Sequence, residues 1–454
     1  MSDAPVYPDP LRLTRPTAGQ DQPATYWQAT AGPAPADDGR LQDDLDCDVA
    51  VIGGGYTGLS AAYHLRRMGA GTVAVLEANR PGWGCSGRNG SFARPALGRV
   101  PYADWAQRWG STTAKAMFRE AQAALQSVRA TIASADIACD AMSDGWLKIA
   151  HRRDKVAALE TEAALLRSSF GLETEVLDAD RLAAEHVRGG EAHAALRWPM
   201  SFAMHPMKLA YGLARAARAE GAAVYRDTPV IGLAKDDERH VLRTPGGRVR
   251  ARSVVVATNG YTVEALFPRF RGRLLPVLSN IVVTQPLDDG ELAAGNFVTS
   301  DCMSDTRTLL YYYRRLPDNR ILMGGKGPVR GGAAAMARHR DALIRTVATK
   351  FPFVRNPRAD YFWGGWVALT RDSIPHIGVA DDDPTLHYAL GYIGSGVSCS
   401  IHAGLRIAQR IAGTPVPMPS PLASDLPRYP FAAFRRLGQA AAMRWYAYRD
   451  ERPS

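Results

Sequence analysis

The sequence is poor in cysteine, and the few cysteines that it has are scattered. There are five among 454 residues, and no two of them stand in C-x-x-C spacing. Zinc sites and small disulfide-bonded scaffolds both depend on clustered or regularly spaced cysteines, so the sequence favours neither. Scattered thiols are typical of a protein that works in a reducing compartment. We therefore expect no metal site and a cytoplasmic location.

Long apolar runs and a recognisable leader are also missing. No stretch of about 18 consecutive apolar residues occurs, which argues against a transmembrane segment. The first residues, MSDAPVYPDPLRLTRP, lack the charged-then-apolar order of a secretory signal. With 46% hydrophobic and 22% charged residues, the composition is typical of a soluble globular protein of about two or three domains.

Lysine is scarce, although the formal net charge is +10. Only seven of the 55 basic residues are lysine, and the 48 arginines are spread along the chain. A nucleic-acid surface would concentrate its basic residues in a patch or stripe. We therefore attribute the arginine excess to a compositional bias and expect no nucleic-acid partner.

The sequence does contain a complete strand–turn–helix–strand unit over residues 48–77, DVAVIGGGYTGLSAAYHLRRMGAGTVAVLE. Gly53, Gly55 and Gly58 follow the first strand in G-x-G-x-x-G spacing, which allows a tight turn, close approach of a pyrophosphate and close helix packing. The helix N-terminus offers free N–H groups and a partial positive charge to phosphates. Glu77, at the end of the second strand, can accept hydrogen bonds from both hydroxyls of an adenosine ribose. The unit predicts a dinucleotide site, and the alternative is an ordinary βαβ unit with a glycine-rich turn.

A second glycine-rich turn, GYIGSGVS, stands far along the chain and leads directly into an apolar helix. Its Gly391, Gly394 and Gly396 place another helix N-terminus where an anion can bind. Two such sites indicate a long cofactor held at both ends, such as FAD, whose reduced ring carries negative charge that a helix dipole would stabilise. NAD would need only the first turn. The alternative for this stretch is a C-terminal helix with a flexible lead-in.

Several segments taken in order resemble one enzyme superfamily. The segments are DVAVIGGGYTGLSAAYHL, LEA, GWGCSGRNG, AMHPMKLAYGLARAA, VVVATNGYT, WGGWVALTRDSIPHIG and GYIGSGVSCSIHAG. From about Tyr26 to Ile411 the chain resembles the FAD-dependent D-amino acid, glycine and sarcosine oxidases, and within them the gamma-glutamylputrescine oxidase group. The resemblance implies an α/β fold, in which a Rossmann-like FAD-binding domain of the glutathione-reductase type is interleaved with an antiparallel-sheet α+β substrate domain.

The expected division of the chain follows from that resemblance and from the sequence pattern. The parts are an N-terminal arm over residues 1–46, an FAD-binding domain over 47–110, 200–265 and 360–415, a substrate domain over 111–199 and 266–359, and a tail helix over 416–454. Tyr26 and Trp27 are the expected anchor of the arm. The basic aromatic stretch 431–448 is interpreted as a helix packed on the body, and the alternative is a helix on a membrane surface.

Carried over position by position, the resemblance assigns a set of residues to FAD. They are Gly53, Gly55, Thr57 and Gly58 at the pyrophosphate, Glu77 at the ribose, Ser86, Arg88 and Asn89 along the ribityl chain and flavin, Val230 at the adenine, Thr258 near the cofactor, and Gly391, Gly394, Gly396 and Val397 in the turn facing the pyrimidine edge. The alternative for the loop that contains Ser86, Arg88 and Asn89 is a plain connector with turn glycines.

Two positions depart from the pattern that the resemblance implies. Some sarcosine oxidases attach FAD to a cysteine in the stretch equivalent to residues 366–370, which here reads WVALT, so we expect dissociable, non-covalent FAD. The usual SGRNGG is here SGRNGS, and Ser91 in place of a glycine is expected to shift the loop slightly.

Oxidation of an amine requires the neutral amine beside flavin N5, so that hydride leaves carbon while the nitrogen lone pair forms an imine. A dedicated base is optional, so the candidates are placement residues. Strand alternation puts Tyr311 and Tyr313 on one face and Tyr312 and Arg314 on the other, and leaves open which face lines the substrate site. Arg314 could pair a substrate carboxylate bidentately. The alternative is a surface arginine on an aromatic strand.

Two further candidates stand outside that strand. His205, which precedes Pro206 and a helix, is either close to the flavin or a helix cap. Lys326 lies in broadly the region where sarcosine oxidases carry a lysine that assists oxygen, so it is a candidate for that role.

These features together predict FAD-dependent oxidation of a small amine or amino acid. The product would be an imine and then an aldehyde or keto acid, with O₂ reduced to H₂O₂ and gamma-glutamylputrescine as the first candidate substrate. Three alternatives stay open: a dehydrogenase that passes electrons to a quinone or carrier, an NAD(P)-dependent dehydrogenase, and a non-enzymatic protein in which FAD is only structural.

Overall fold

The computed structural model of the protein describes residues 4–142 and 144–452. Two β-sheets form its framework, one mainly parallel and the other mainly antiparallel. The predicted combination of a parallel nucleotide-binding sheet with an antiparallel substrate sheet is confirmed.

The first sheet has eight strands in the described residues. Its parallel strands are Ala223–Tyr225, Val73–Leu76, Leu45–Ile52, Gly247–Val256 and Asp383–Leu390, in that spatial order. His376–Ala380 adds an antiparallel edge, and the strands Gly232–Asp236 and Arg239–Thr244 extend antiparallel from Gly247–Val256. Residue 51 pairs with residue 75 on one side and residue 255 on the other, so the glycine turn follows a central strand.

Both faces of this sheet are buried, as expected for parallel strands. Val49 and Val51 point into a hydrophobic cluster that also holds residues from several helices. Ala50 and Ile52 point the other way, into a cluster with Phe267. Three of the helices in the first cluster are Tyr56–Arg67, Pro206–Ala219 and Gly396–Ile411.

Helices Tyr56–Arg67 and Gly396–Ile411 cross with almost no side chain between them. A Cβ on Gly404 would lie 2.6 Å from the Ala61 nitrogen and 2.7 Å from the Thr57 carbonyl oxygen. The Thr57 and Tyr392 hydroxyls share a buried hydrogen bond of 2.8 Å near the same ends. The close crossing therefore brings the two glycine turns together, although they are far apart in sequence.

The second sheet has nine strands in the described part of the chain. In spatial order they are Ala359–Leu369, Leu275–Thr284, Ile321–Lys326, Tyr312–Arg315, Cys302–Asp305, Asp144–Ile149, Ala194–Ala203 and Phe92–Ala93, with Glu175–Asp178 paired to Ala194–Ala203. All neighbours are antiparallel except Cys302–Asp305 and Asp144–Ile149, which are parallel. The longer helices elsewhere are Tyr102–Trp109, Ser111–Ser134, Val156–Phe170, Ala333–Lys350 and Arg435–Glu451.

The pairing corrects the expected division of the chain at two places. Ala359–Leu369 pairs along its length with Leu275–Thr284, so residues 360–369 belong to the second sheet and not to the first. Phe92–Ala93, also expected in the FAD-binding part, pairs with Ala194–Ala203 in the second sheet. In both cases a strand partner that is distant in sequence determines which sheet the segment joins. The remaining boundaries stay a proposal.

The arm and the tail both lie against this body. Tyr26–Thr30 forms a short helix, and the Trp27 indole donates to the Asn89 carbonyl at 2.9 Å. Tyr7 is a second anchor that the sequence did not indicate, since its hydroxyl accepts from the Gly364 N–H at 2.8 Å. Among the described residues, no helix combines the length and apolarity that crossing a membrane requires.

Candidate functional site

The first glycine turn is packed tightly enough to exclude side chains. Gly53 has a φ of +109°, and a Cβ on Gly58 would lie 1.9 Å from the Gly53 carbonyl oxygen. A Cβ on Gly55 would lie 3.0 Å from the Ser86 hydroxyl, which accepts from the Tyr56 N–H at 2.8 Å. Ser86 therefore ties the following loop to the start of the helix.

Glu77 lies where the sequence placed a ribose acceptor. Its two carboxylate oxygens accept from the backbone N–H groups of Gly54 at 2.6 Å and Asn79 at 2.9 Å. The pKa of Glu77 is raised overall, because the effect of burial exceeds the lowering effect of these two hydrogen bonds. It has no ion-pair partner among the described residues, so its remaining lone pairs are available to hydroxyl groups.

The loop after Glu77 is held by its own side chains. The Asn89 amide donates to the Ser86 carbonyl at 2.9 Å, and its oxygen accepts from the Ser91 N–H at 2.7 Å. Arg88 Nε donates to the Trp83 carbonyl at 2.8 Å, and the guanidinium lies 4.2 Å from the Trp83 ring centroid. Asn89 thus shapes the loop, and Arg88 is anchored within it.

A single cavity of about 1610 Å³ joins the two glycine turns. The predicted site residues that line it are Gly53, Gly55, Thr57, Glu77, Ser86, Arg88, Asn89, Val230, Thr258, Lys326, Gly394, Gly396 and Val397. Gly58 and Gly391 stand behind its wall. Gly391 has a φ of +90°, and a Cβ there would lie 2.3 Å from Thr370 Cγ2, so it shapes the turn.

The lining of this cavity fits FAD. Glu77 faces the cavity at the first turn, with lone pairs left beyond its two backbone hydrogen bonds and no ion-pair partner among the described residues. Arg88 Nη2 and Trp366 Nε1 are buried donors that have no hydrogen-bond partner in residues 4–142 and 144–452. FAD, a polar dinucleotide with a heteroaromatic ring, supplies hydroxyl donors for the Glu77 carboxylate. It also supplies acceptors for the N–H groups of Arg88 and Trp366.

Side chains of the strand Tyr312–Arg315 alternate between its two faces as predicted, and the face of Tyr312 borders the cavity. The Tyr312 hydroxyl shares a 2.9 Å hydrogen bond with Ser279, and its ring lies beside Gly90. Tyr313 is buried on the other face, edge-on to Phe351 at 5.5 Å. Tyr311 also lies outside the cavity lining, so of the two faces that the sequence left open, the one with Tyr312 borders the cavity and the one with Tyr311 and Tyr313 does not.

Arg314 is also outside the large cavity. It is 2% exposed, and its Nη1 donates to the Ser91 hydroxyl at 2.8 Å. It lines a separate cavity of about 280 Å³ together with His205. Arg314 therefore does not meet a substrate in the main cavity. Ser91 has a φ of +74°, so it keeps a glycine-like backbone and gains this hydrogen bond.

His205 has the capping role that was the alternative prediction. Its Nδ1 accepts from the Lys208 N–H at 3.2 Å at the start of Pro206–Ala219, so Nε2 carries the proton and donates to Thr30 at 2.9 Å. Burial lowers the pKa of His205 to about 4. A neutral cap buried between the arm and the helix has no access to the cavity.

Lys326 does line the cavity, at the end of strand Ile321–Lys326. Burial lowers its pKa, and the carboxylates of Asp450 and Glu451 partly offset this. No described residue forms an ion pair or hydrogen bond with its ammonium group. Its role with oxygen stays a prediction.

Two arginines that the sequence analysis missed line the cavity beside the second glycine turn. Arg94 Nη2 donates to the Gly394 carbonyl at 3.1 Å, and its guanidinium lies 4.4 Å from the Trp146 ring centroid. Arg99 Nη2 donates to the Thr308 carbonyl at 2.7 Å. Neither has a carboxylate partner within the part of the chain that the structure describes. The one signal available was their position just after the SGRNG loop.

The two guanidinium groups influence each other across this end of the cavity. Burial lowers the pKa of Arg94. Desolvation inside the cavity and the neighbouring charge of Arg94 lower the pKa of Arg99, although its side chain is exposed to the cavity space. Because the positive charges of Arg94 and Arg99 have no carboxylate partner in the described residues, they favour binding of an anionic group at this end of the cavity.

The fold and the site together define a flavin-dependent oxidoreductase. Residues 48–410 match the family described as DAO, FAD dependent oxidoreductase, and the chain belongs to that family. Its cofactor is FAD, and it acts on amino or amine donors.

Individual relatives are similar over most of their length. The chain is 33% identical to gamma-glutamylputrescine oxidoreductase of Escherichia coli (strain K12), covering 94% of this chain and 98% of that protein. It is 25% identical to glycine oxidase of Bacillus subtilis (strain 168), covering 80% and 92%. The fold is similar to the crystal structure of glycine oxidase from Geobacillus kaustophilus, with a TM-score of 0.69 at 21% identity, covering 85% and 100%.

Proposed function

We propose that the protein oxidises a small amine that also carries a carboxylate, with gamma-glutamylputrescine as the first candidate. The pair Arg94 and Arg99 supports this proposal, because it offers two unpaired cations in the cavity that fits FAD. The gamma-glutamylputrescine oxidoreductase relative agrees with it. Plain diamines would leave both arginines without a partner.

Bound FAD would supply the chemistry by accepting hydride from the carbon next to the substrate nitrogen. The residues of the chain orient the substrate for that transfer. Arg94 and Arg99 hold the carboxylate, and Trp146, stacked on Arg94, walls the same end. Burial raises the pKa of Tyr312 to about 12, so its hydroxyl stays protonated and positions a polar group without gaining charge. The product is an imine, which hydrolyses to an aldehyde or keto acid.

For the electron acceptor we propose O₂, reduced to H₂O₂. The observation that favours it is the ammonium of Lys326 at the cavity wall, because a cation there stabilises the negative charge that develops on oxygen. The second candidate is transfer to a quinone or carrier. Measuring H₂O₂ release in air against reduction of an artificial acceptor distinguishes the two.

The substrate assignment is tested by anaerobic mixing of the holoenzyme with matched substrates. Gamma-glutamylputrescine and putrescine differ by the glutamyl group, and bleaching of the visible flavin band reports reduction. Arg94→Met and Arg99→Met should each lower kcat/KM for the carboxylate substrate about 10- to 100-fold, the cost of a hydrogen bond to a charged group. Activity with putrescine should hardly change.

Arg215→Met is the matched control, because Arg215 is exposed on helix Pro206–Ala219 and lies away from the cavity lining. Equal loss with both substrates would contradict a carboxylate role for the pair. A flavin that no amine or amino acid bleaches would contradict the proposed oxidation itself.

A further inference from the structure

Large exposed apolar side chains gather at one place on the surface. Nine occur among the described residues, and five of them lie between residues 431 and 448, where they are 47% to 84% exposed. The five are Phe431, Phe434, Leu437, Trp445 and Tyr448. A patch of this kind on a protein surface marks a site of interaction.

Four of these side chains lie on one face of helix Arg435–Glu451 and the turn before it. Residues 434, 437, 441, 445 and 448 are all exposed, and their spacing of three or four residues puts them in one stripe. The rings of Trp445 and Tyr448 are stacked at 6.0 Å. We call this stripe, with Phe431, the outer face of the tail helix.

The opposite face of the same helix is attached to the body. The Asp450 carboxylate accepts from the N–H groups of Thr308 and Leu309, each at 2.9 Å. Arg436 pairs with Asp9, with Nε at 3.0 Å from the carboxylate. The helix is therefore held in place, and its outer face is a fixed part of the surface.

The charges on the outer face are mostly positive. Arg444 and Arg452 are exposed there without a carboxylate partner in the described residues, and Arg452 lies 4.0 Å from the Tyr448 ring centroid. Arg449 is exposed beside them and donates to the Thr308 hydroxyl. Glu451 is the only exposed acid between residues 431 and 452.

We propose that the outer face of the tail helix docks on a membrane surface that contains anionic lipids. Aromatic and leucine side chains insert at the level of the headgroups, while arginines beside them attract anionic phosphates. A second copy of the chain is a poorer occupant, since a two-fold contact would bring the same arginines together.

The docking would also orient the large cavity. Phe431, Phe434 and Leu437 line the cavity as well as standing exposed, so they form part of its rim. A molecule bound through this face has its cavity opening at the bilayer. Compounds carried in the membrane would then reach the site without crossing bulk water, which goes beyond the proposed amine oxidation.

Vesicle sedimentation with the full-length holoenzyme tests the proposal. We expect binding to vesicles that contain phosphatidylglycerol, no binding to pure phosphatidylcholine, and weaker binding as salt rises. The triple variant Phe434→Ser, Leu437→Ser, Trp445→Ser should lose binding. Arg444→Gln should weaken it about fivefold, the usual effect of one basic residue at an anionic surface.

Two matched variants serve as controls. Val298→Ser removes an exposed apolar side chain elsewhere, and Arg215→Gln removes an exposed arginine elsewhere, so both should bind like the unaltered protein. The flavin band and the thermal midpoint of each variant verify folding. Failure to bind phosphatidylglycerol vesicles, or binding that the triple variant keeps, would overturn the proposal. Sedimentation velocity showing a dimer that the triple variant abolishes would assign the face to a second copy instead.

Discussion

Among the single side chains of the cavity, Lys326 is distinctive because its ammonium faces the space and has no ion-pair or hydrogen-bond partner in the described part of the chain. It ends a strand of the second sheet, opposite Ser279 in the neighbouring strand. Burial lowers its pKa, so the protein bears a cost for keeping a charge there. Such a cost is typical of functional positions.

Replacing Lys326 by Met should slow reoxidation of the reduced flavin by O₂ at least about tenfold, because one preorganised charge contributes on this scale. Reduction by the amine should be much less affected. Stopped-flow mixing of pre-reduced protein with oxygenated buffer measures the step. Lys235→Met, a change at an exposed ion pair with Asp383, is the matched control. Unchanged reoxidation would remove Lys326 from the oxygen chemistry.

Three histidines, two buried and one half-buried, make the stability of the protein decrease at acid pH. Burial is the main cause that lowers the pKa of His64, His205 and His387 to about 4 each. An unfolded imidazole has a pKa of about 6.5, so the unfolded chain binds more protons between these values. Stability is therefore complete above about pH 6.5 and falls as pH decreases toward 4.

His205→Asn should make that decrease shallower, since asparagine can cap the helix but does not titrate in this range. Urea midpoints at pH 7 and pH 5 give the measurement. An unchanged difference between the two midpoints would show that His205 does not contribute to the pH dependence.

At the scale of elements, the local sequence pattern predicted the helices, because contacts between residues close in sequence determine them. The helix expected after the first glycine turn is Tyr56–Arg67, and the apolar helix expected after the second is Gly396–Ile411. Apolar periodicity and terminating glycines specify such helices within a few turns. Ala359–Leu369 was assigned to the wrong part because its partner Leu275–Thr284 lies far upstream, and no local pattern reports such pairing.

In the candidate site, too, the residues fixed by local contacts were predicted and those fixed by distant contacts were not. The glycine turns and Glu77 line the cavity as expected, because their spacing reflects contacts within one βαβ unit. Arg314 was predicted to share a face with Tyr312, which lines the cavity. Two residues advance a strand by about 6.6 Å, however, so Arg314 lies past the cavity and bonds to Ser91. Arg94 and Arg99 come from a loop whose path depends on the assembled fold.

The close packing at Gly58 gives a prediction for the first turn. In Gly58→Ala the new Cβ would meet the Gly53 carbonyl oxygen, so the turn must shift. We expect a loss of about 2 kcal/mol of stability, as for other overpacked sites, and weaker FAD retention. Gly438→Ala is the matched control for stability, because nothing lies within 4 Å of a Cβ there in the tail helix, and the change should be neutral or stabilising. Flavin content and urea midpoints provide the comparison, and full flavin content in Gly58→Ala would contradict the tight turn.

At the scale of the whole molecule, the cavity lies between parts of the chain that are far apart in sequence. Two glycine turns, the loop after Glu77 and strands of the second sheet all contribute to its wall. A ligand that contacts all of them stabilises the folded state by mass action.

Removing FAD should therefore lower the thermal midpoint, and returning it at about 100 times its Kd should restore about 2.7 kcal/mol. Scanning calorimetry of the apoprotein with increasing FAD measures the shift. NAD at the same concentrations is the control ligand and should give little stabilisation, because it requires only the first turn. Equal stabilisation by both would contradict the cavity as a flavin site.

The crossing of helices Tyr56–Arg67 and Gly396–Ile411 also bears on biosynthesis. On the ribosome, the first nucleotide-binding turn is made more than 300 residues before its counterpart. The nascent chain consequently has no complete binding site until both turns have emerged, so flavin can be held at both ends only after that point.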